Sequence, residues 1–331
     1  MESLACVFKA SILGGMNSLR LVLGLCLLAM VVRAGDLRIG MIGLDTSHVI
    51  AFTELLNNPD NPKHVPGGKV VAAFKGGSPD VEASYTRIDG FTARLREEYG
   101  VKIYDSIEEM CQHVDAVMLE SVDGRPHLKQ AIPVMKAGKP MYIEKPMAVS
   151  LKEVRELFRL SEEYRSPLFS SSCRRFSSTT IAARDGEVGK VHYCEIYSSA
   201  KTEPHHPELF WYGIHGCEAL YTVMGRGCKK VRREITEDGK LQVTGYWGGN
   251  RFGVFREGKN GGFAVGEKGR MVTGTHERYQ MLVGEMIHFF KTGKSPVDPK
   301  DTIELFAFME ASEESKRRGG EWVEIEEILK R

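Results

Sequence analysis

The chain of 331 residues is long enough for about two domains with cores of their own. With 42% apolar and 27% charged residues it has the composition of an ordinary globular protein, which excludes intrinsic disorder and collagen. Forty-five Lys and Arg residues balance 44 Asp and Glu residues, so the formal net charge is +1. No summed field would draw such a protein to nucleic acid, and none is expected as a partner.

An apolar stretch of 12 residues, 21–32, follows Arg20 near the start of the chain. It is shorter than the roughly 20 residues that a membrane span needs, but it suits the apolar part of a secretory signal peptide. We expect residues 1–34 to be such a peptide, cleaved after Ala34, so that the mature chain is exported to the periplasm or the cell exterior. Translation from Met16 would give the charged segment before the apolar stretch a more usual length. The alternative to a signal peptide is a buried N-terminal strand or helix.

Strands alternate with helices from residue 35 to residue 150. Apolar, branched segments predict strands at 37–44, 69–74, 101–104, 115–120 and 140–144. Helical patterns separate them, at 49–56, in the stretch that ends at Tyr99, at 106–113 and at 127–137. This alternation predicts a parallel sheet that is covered on both faces, and hence an α/β domain.

The hydrophobic period changes after the capping box of Ser150 and Glu153 and the helix that it opens. Beyond Pro167, alternating segments separated by glycines predict an antiparallel sheet, and helices are expected at 279–290 and 302–318. We therefore divide the mature chain into a first domain, 35–150, and a second domain, 151–331.

The turn after the first strand is where a dinucleotide-binding fold places its phosphates. The spacing G-x-G-x-x-G falls on Gly43, Asp45 and His48, and only the first glycine is present. Two interpretations remain open: the turn, with Thr46 and Ser47, binds a diphosphate, or Asp45, Thr46 or Ser47 caps the helix.

Lys75 stands at the end of the second strand, where an acidic residue would bind a ribose hydroxyl. This lysine could accept a 2′-phosphate, which would favour NADP over NAD. Alternatively, it is a solvated end of a strand.

Glu144 and Lys145 follow the fifth strand, at the edge where open α/β sheets bind ligands. A lysine at this edge could exchange a proton with a substrate hydroxyl, or it is a surface lysine before a proline. His215 is a second candidate proton carrier, and Trp211 and Tyr212 beside it suit either a sugar-stacking wall or plain core. No metal is expected, because no metal-binding spacing is met by His205, His206, Glu208, His215 and Glu218.

The segment DAVMLESVDGRPHLKQAIPVMKAGKPMYIEKPMAVSLKEV at 115–154 resembles the Gfo/Idh/MocA oxidoreductases. The segments SSSCRRF at 170–176 and DGEVGKV at 185–191 and the C-terminal helix are similar to that family as well. The resemblance implies a Rossmann domain, an α+β second domain with an open antiparallel sheet that often forms homo-oligomers, and NAD(P)-dependent oxidation or reduction of sugars or polyols.

Residue by residue, the resemblance places catalysis at Lys145 and His215. It implies a cofactor site that comprises the first turn, Lys75, Ser121, His127, Glu144 and Lys145. It also implies a substrate site that comprises Arg175, Trp211, Tyr212 and His215. The chain departs from the family pattern in its phosphate glycines, in Lys75, in Trp211 where an aspartate is usual, and in an insertion at 78–90.

The leading expectation is an NAD(P)-dependent oxidoreductase acting on a sugar or polyol. Two alternatives stay open. One is an exported lyase or glycoside-cleaving enzyme that holds NAD tightly, and the other is a carbohydrate-binding relative that has lost the cofactor.

Overall fold

The computed structural model describes residues 35–331, and the expected signal peptide lies outside the described residues. Within the described part of the chain, no helix combines the length and the apolar character that crossing a membrane requires.

Six parallel strands form the first sheet, in the order β3-β2-β1-β4-β5-β6. The strands are β1 (Leu37–Ile42), β2 (Gly68–Phe74), β3 (Lys102–Tyr104), β4 (Ala116–Leu119), β5 (Met141–Ile143) and β6 (Leu168–Ser170). All residues of β4 and β5 are buried, as expected for central strands covered by helices on both faces. This strand order is that of the Rossmann fold, so the α/β prediction is confirmed.

Helices connect these strands. They are α1 (His48–Asn57), α2 (Glu82–Tyr85), α3 (Ile88–Tyr99), α4 (Ile107–Cys111), α5 (His127–Lys136) and α6 (Leu151–Tyr164). Both predicted capping boxes open helices: Ser106 Oγ accepts a hydrogen bond from the Glu109 amide, and Ser150 Oγ accepts one from the Glu153 amide.

The parallel sheet continues beyond residue 150, where the sequence placed the end of the first domain. Leu168–Ser170 pair with β5 as the sixth strand. The segment has only three residues after Pro167, too few for a periodic pattern that could reveal a strand.

Seven strands form the second sheet, in the order β12-β11-β7-β10-β9-β8-β13. The strands are β7 (Val191–Ser198), β8 (Lys230–Ile235), β9 (Leu241–Gly248), β10 (Arg251–Glu257), β11 (Gly261–Gly266), β12 (Gly269–Val272) and β13 (Val323–Glu324). The expected purely antiparallel sheet needs a correction, because β10 runs parallel to β7. Local alternation predicts a strand but not its direction relative to a partner that is distant in sequence.

One face of this sheet is covered by helices. The helices of this part of the chain are α7 (Ser178–Arg184), α8 (Ile214–Met224), α9 (Gln280–Thr292), α10 (Pro299–Arg317) and α11 (Ile325–Leu329). Helix α8 packs against β7 and β10, and α10 packs against β8. One hydrophobic cluster runs from Ile143 and Leu157 in the first domain to Ile196 and Phe306 in the second, so the two domains share a core at the base of the cleft between them.

Candidate functional site

A cavity of about 340 Å³ opens between the carboxyl edge of the parallel sheet and the second domain. This volume lies at the lower end of the range of small-molecule sites. Both domains contribute to its lining, with Thr46, Ser47, His48 and Lys145 from the first and Tyr212 and His215 from the second. The cavity therefore brings together the two residues that the sequence singled out for catalysis.

Lys145 is buried, and its ammonium group lies among π-systems and one carboxylate. Nζ is 3.5 Å from the carbonyl oxygen of Trp211 and 3.8 Å from Glu144 Oε1. It also lies 5.5 Å from the centre of the Tyr212 ring. A lysine held in this way presents a positive charge to a ligand in the cavity without freedom to swing into solvent.

His215 lies in the first turn of α8, with Nδ1 2.7 Å from Ser172 Oγ. Burial lowers the pKa of His215 well below its ordinary value, and the positive charge of Lys145 lowers it further. The imidazole is therefore neutral near pH 7, which is the form that can accept a proton.

Glu218, one helical turn after His215, fixes the segment that carries Ser172. Its carboxylate accepts hydrogen bonds from the Ser171 hydroxyl at 2.6 Å, the Ser172 amide at 2.6 Å and Arg175 Nε at 3.0 Å. Burial raises the pKa of Glu218, and the charge of Arg175 opposes that rise. Glu218 thus holds Ser172 against His215.

The assignment of Arg175 to the substrate site needs a correction. Arg175 is committed to Glu218 and does not line the cavity, whereas its neighbour Arg174 does. The Arg174 guanidinium donates to backbone carbonyl oxygens, including that of Tyr197 at 2.9 Å. Consecutive residues of a short 3₁₀ turn point in different directions, and the sequence does not reveal which of the two arginines faces the cleft.

Trp211 and Tyr212 both lie on the cavity wall, as the substrate assignment expects. Trp211 is buried, while Tyr212 is 41% exposed and remains accessible to a ligand. Two further cavity residues, His276 and Tyr279, were not anticipated. They lie in the loop and cap before α9, far from the recognised motifs.

The Asp45 carboxylate makes its hydrogen bonds within the first domain. The carboxylate is fully buried and accepts hydrogen bonds from the Val122 amide at 2.8 Å and the Ser84 hydroxyl at 2.6 Å. Burial raises the pKa of Asp45, and these two hydrogen bonds oppose the rise. Asp45 therefore ties the first turn to the turn after β4, and it does not cap α1. Ser47 makes no capping hydrogen bond either, whereas Thr46 Oγ1 accepts one from the His48 amide at 3.5 Å.

The insertion that contains Ser84 lies across the carboxyl edge of the sheet. We call residues 76–87 the cover segment. Ser78 Oγ donates to Asp123 Oδ2 at 2.7 Å, and Val81 packs with Val122 and Trp211 in a small apolar cluster. The cover segment thus contacts the end of β4 and the second domain, and it passes over the β1 turn between them.

The remaining predicted cofactor residues point away from the cavity. Lys75 Nζ pairs with Asp89 at 2.7 Å on the surface, which agrees with a solvated strand end. Ser121 donates to Gln130. The ring nitrogens of the fully buried His127 lie 2.8 Å from the Ser121 carbonyl oxygen and 3.2 Å from that of Met147. Ser121 and His127 therefore hold the turn after β4 in shape.

The β1 turn and the cover segment touch through Asp45 and Ser84, while Ser47 and Ala83 of the same two segments line the cavity. The diphosphate would lie between the β1 turn and the turn after β4, where the Asp45 carboxylate and Ser84 now meet. A Cβ built at Gly43 would overlap Ser121, and one built at Gly76 would come 3.2 Å from the Gly43 Cα. An acidic side chain, the buried Asp45 held by Ser84, thus stands at the β1 turn, where a Rossmann fold places a diphosphate.

Three side chains that could hold a cation meet beside the cavity: His48, Glu120 and Glu144. His48 Nδ1 lies 3.1 Å from Glu144 Oε2 and 3.9 Å from Glu120 Oε2. Burial raises the pKa of Glu120 well above its ordinary value, and the charge of Glu144 adds to the rise. The sequence analysis missed Glu120, although an acidic residue at the carboxyl end of a buried strand was a visible signal.

The other histidines and acids considered as metal ligands are occupied elsewhere. His205 and His206 both bind Glu203, through Nδ1 at 2.8 Å and 2.7 Å. Burial alone would raise the pKa of Asp123, but hydrogen bonds from His206, Arg125 and Ser78 hold it well below its ordinary value. This polar group joins the second domain to the cover segment.

Residues 37–171 match the model of a family described as oxidoreductases with an NAD-binding Rossmann fold. A curated relative, an uncharacterized oxidoreductase called YhhX from Escherichia coli K12, is 25% identical over 157 residues, 42% of this chain. That match spans less than half of the relative, 43% of its length.

Solved structures agree with the fold over both domains. Myo-inositol 2-dehydrogenase from Lactobacillus plantarum has a TM-score of 0.71 at 17% identity, with 87% of this chain and 99% of that chain covered. Scyllo-inositol dehydrogenase from Lactobacillus casei, with bound NAD(H) and scyllo-inositol, has a TM-score of 0.70 at 14% identity, with 88% and 99% covered. Residues 37–171, the Rossmann domain, are therefore similar to the NAD-binding domain of the Gfo/Idh/MocA oxidoreductases.

Proposed function

We propose that the protein is an oxidoreductase that acts on a hydroxyl-bearing carbon of a sugar or polyol bound in the cleft. The observation that carries this proposal is the pairing of Lys145 with His215 across one small cavity. The inositol dehydrogenases with the same fold support a polyol as the substrate class.

In this proposal, Lys145 binds the oxygen of the reacting hydroxyl group. Its positive charge stabilises the alkoxide character that develops as the proton leaves. His215 takes that proton during oxidation and returns it during reduction. Its hydrogen bond to Ser172 through Nδ1 leaves Nε2 as the nitrogen that is available to the substrate. Tyr212 provides an aromatic surface for a sugar ring.

NAD(H) is the hydride carrier that the family match supports for this proposal. In this chain the buried Asp45 carboxylate, bonded to Ser84, stands beside the β1 turn at which the diphosphate would bind. We therefore assign Lys145 and His215 the proton transfer only.

The test is turnover with a panel of inositols, hexoses and sugar acids, offered with NAD⁺ or NADP⁺ in separate reactions. Reduced nicotinamide is followed by absorbance and the oxidised sugar by mass spectrometry. The proposal predicts matched amounts of both products with at least one substrate. It fails if no sugar is oxidised while the sugars still bind.

A second candidate is favoured by the cover segment itself: a family relative that binds its sugar or polyol without a dinucleotide. Ser78, Val81 and Ser84 are all buried in contacts that hold the cover segment over the β1 turn. This candidate predicts that NAD(H) and NADP(H) both fail to bind, and that denatured protein releases no nicotinamide nucleotide. Calorimetric titration and mass spectrometry of the released small molecules separate the two candidates.

A further inference from the structure

We propose that His48, Glu120 and Glu144 form a binding site for one divalent cation of the zinc or manganese type. The three side chains come from separate elements: the first turn of α1, the end of β4 and the end of β5. They converge at the carboxyl edge of the parallel sheet. The site adjoins the proposed redox site, since His48 lines the same cavity and Glu144 contacts Lys145, but it is tested by metal binding and not by turnover.

The spacing of the ligand atoms suits a small cation. Bonds of 2.0–2.2 Å in tetrahedral geometry place ligand atoms about 3.4 Å apart. The distances from His48 Nδ1, 3.1 Å to Glu144 Oε2 and 3.9 Å to Glu120 Oε2, lie on either side of that value. One ligand atom from each residue fits within 4.8 Å of the others. A cation placed between them would therefore draw the three side chains together from separations of at most 4.8 Å.

The state of Glu120 is the second, independent observation. Its side chain is fully buried, and neither carboxylate oxygen has a hydrogen-bond partner within residues 35–331. His48 Nδ1, which faces the Glu120 carboxylate, also has no hydrogen-bond partner of acceptable geometry within these residues. By contrast, the buried carboxylate of Glu218 accepts three hydrogen bonds. Burial of a carboxylate without donors is expensive, and a bound cation supplies what Glu120 lacks.

The surroundings hold two of the ligands in place. The His48 ring stacks on Phe52 at a centroid distance of 5.1 Å and meets the edge of Tyr279 at 4.7 Å. The Tyr142 hydroxyl lies 3.1 Å from Glu144 Oε2 and 2.8 Å from the Ser171 carbonyl oxygen. Contacts of this kind fix the orientation of ligands around metal ions.

The donor set and the charge indicate which cation would bind. One imidazole and two carboxylates suit zinc or manganese, whereas copper(I) prefers sulfur ligands. Two carboxylates also balance the charge of a divalent ion. Because His48 lines the cavity, a coordination position left free by the three ligands faces the cavity, as in metal sites that bind water or substrate.

The experiment uses the full chain after dialysis against EDTA. Isothermal titration with ZnCl₂, MnCl₂ and CoCl₂ gives affinity and stoichiometry, and elemental analysis after gel filtration gives the amount retained. The visible spectrum of bound Co²⁺ reports the coordination. We expect one ion per chain and a higher melting temperature with the ion bound.

Glu120→Gln separates this proposal from a merely structural role of the residue. The substitution keeps the size of the side chain and removes a carboxylate ligand, so the affinity for the ion should fall at least ~100-fold while the metal-free variant stays folded. Glu203→Gln is the matched control, because Glu203 binds two histidines outside the cation site and its loss should leave the affinity unchanged. The proposal is overturned if the wild type binds no ion, or if Glu120→Gln binds as tightly as the wild type.

Discussion

The carboxylate of Asp45 accepts a hydrogen bond from the hydroxyl of Ser84 at 2.6 Å, inside the part of the fold that a dinucleotide would use. The two residues are 39 positions apart in the chain. Their contact joins the β1 turn to the cover segment, at a position where a phosphate-binding loop usually carries glycine.

Replacement of Ser84 by alanine should destabilise the folded chain by about 1–3 kcal/mol, because the buried Asp45 carboxylate loses one of its two hydrogen bonds. Urea denaturation measures the change. Thr86→Ala is the control, since the Thr86 hydroxyl binds only the carbonyl oxygen of Glu82 on the surface. Equal effects of the two substitutions would contradict the role given to the Asp45–Ser84 contact.

Gly43→Ala should destabilise the chain by about 3 kcal/mol or more, because the new methyl group overlaps Ser121 in addition to the strain of the positive φ of 81°. Gly138→Ala has a similar φ of 65° but no atom within 4 Å of the new carbon, so about 1 kcal/mol is expected. Chemical denaturation of both variants compares the steric effect with the backbone effect. Similar losses would show that the close approach of Ser121 is unimportant.

Lys145→Met should lower kcat/KM for a sugar or polyol substrate by about 10²–10⁴-fold, since methionine fills similar space without the charge or the proton. Lys75→Met is the matched control, because Lys75 pairs with Asp89 at the surface and lies outside the cavity. The control should keep its activity, and both melting temperatures should stay near that of the wild type. A fully active Lys145→Met variant would remove this lysine from the mechanism.

His215 should make the folded chain less stable in mild acid. Its pKa is lower in the folded than in the unfolded chain, where it is near 6.5, so the unfolded chain binds more protons as the pH falls through that value. His215→Asn removes this contribution. As the pH falls from about 7.5 to about 5.5, the unfolding free energy of the variant minus that of the wild type should therefore increase. A constant difference between the two proteins would contradict the lowered pKa.

Much of the first domain could be predicted because its signals are local. The strands β1, β2 and β4 are apolar and branched, and Ser106 and Ser150 cap the helices that they predict. The direction of β10 against β7 could not be predicted, because it depends on the pairing of distant segments.

Within the site, the motif residues Lys145 and His215 were found because each follows a recognisable pattern. The roles of Asp45, Ser121 and Arg175 were not, since each depends on a hydrogen-bond partner from another part of the chain. The cover segment was visible only as an insertion, and nothing in its composition indicated that it would fold over the β1 turn.

The most direct test of the account is the affinity for NADH of the wild type and of a Ser78→Ala/Ser84→Ala variant, measured by calorimetric titration. If the cover segment competes with a dinucleotide for the space at the β1 turn, loss of the three hydrogen bonds made by the two hydroxyl groups should raise the affinity at least ~10-fold, while Thr86→Ala leaves it unchanged. A wild type that binds NADH as tightly as the double variant would contradict the account.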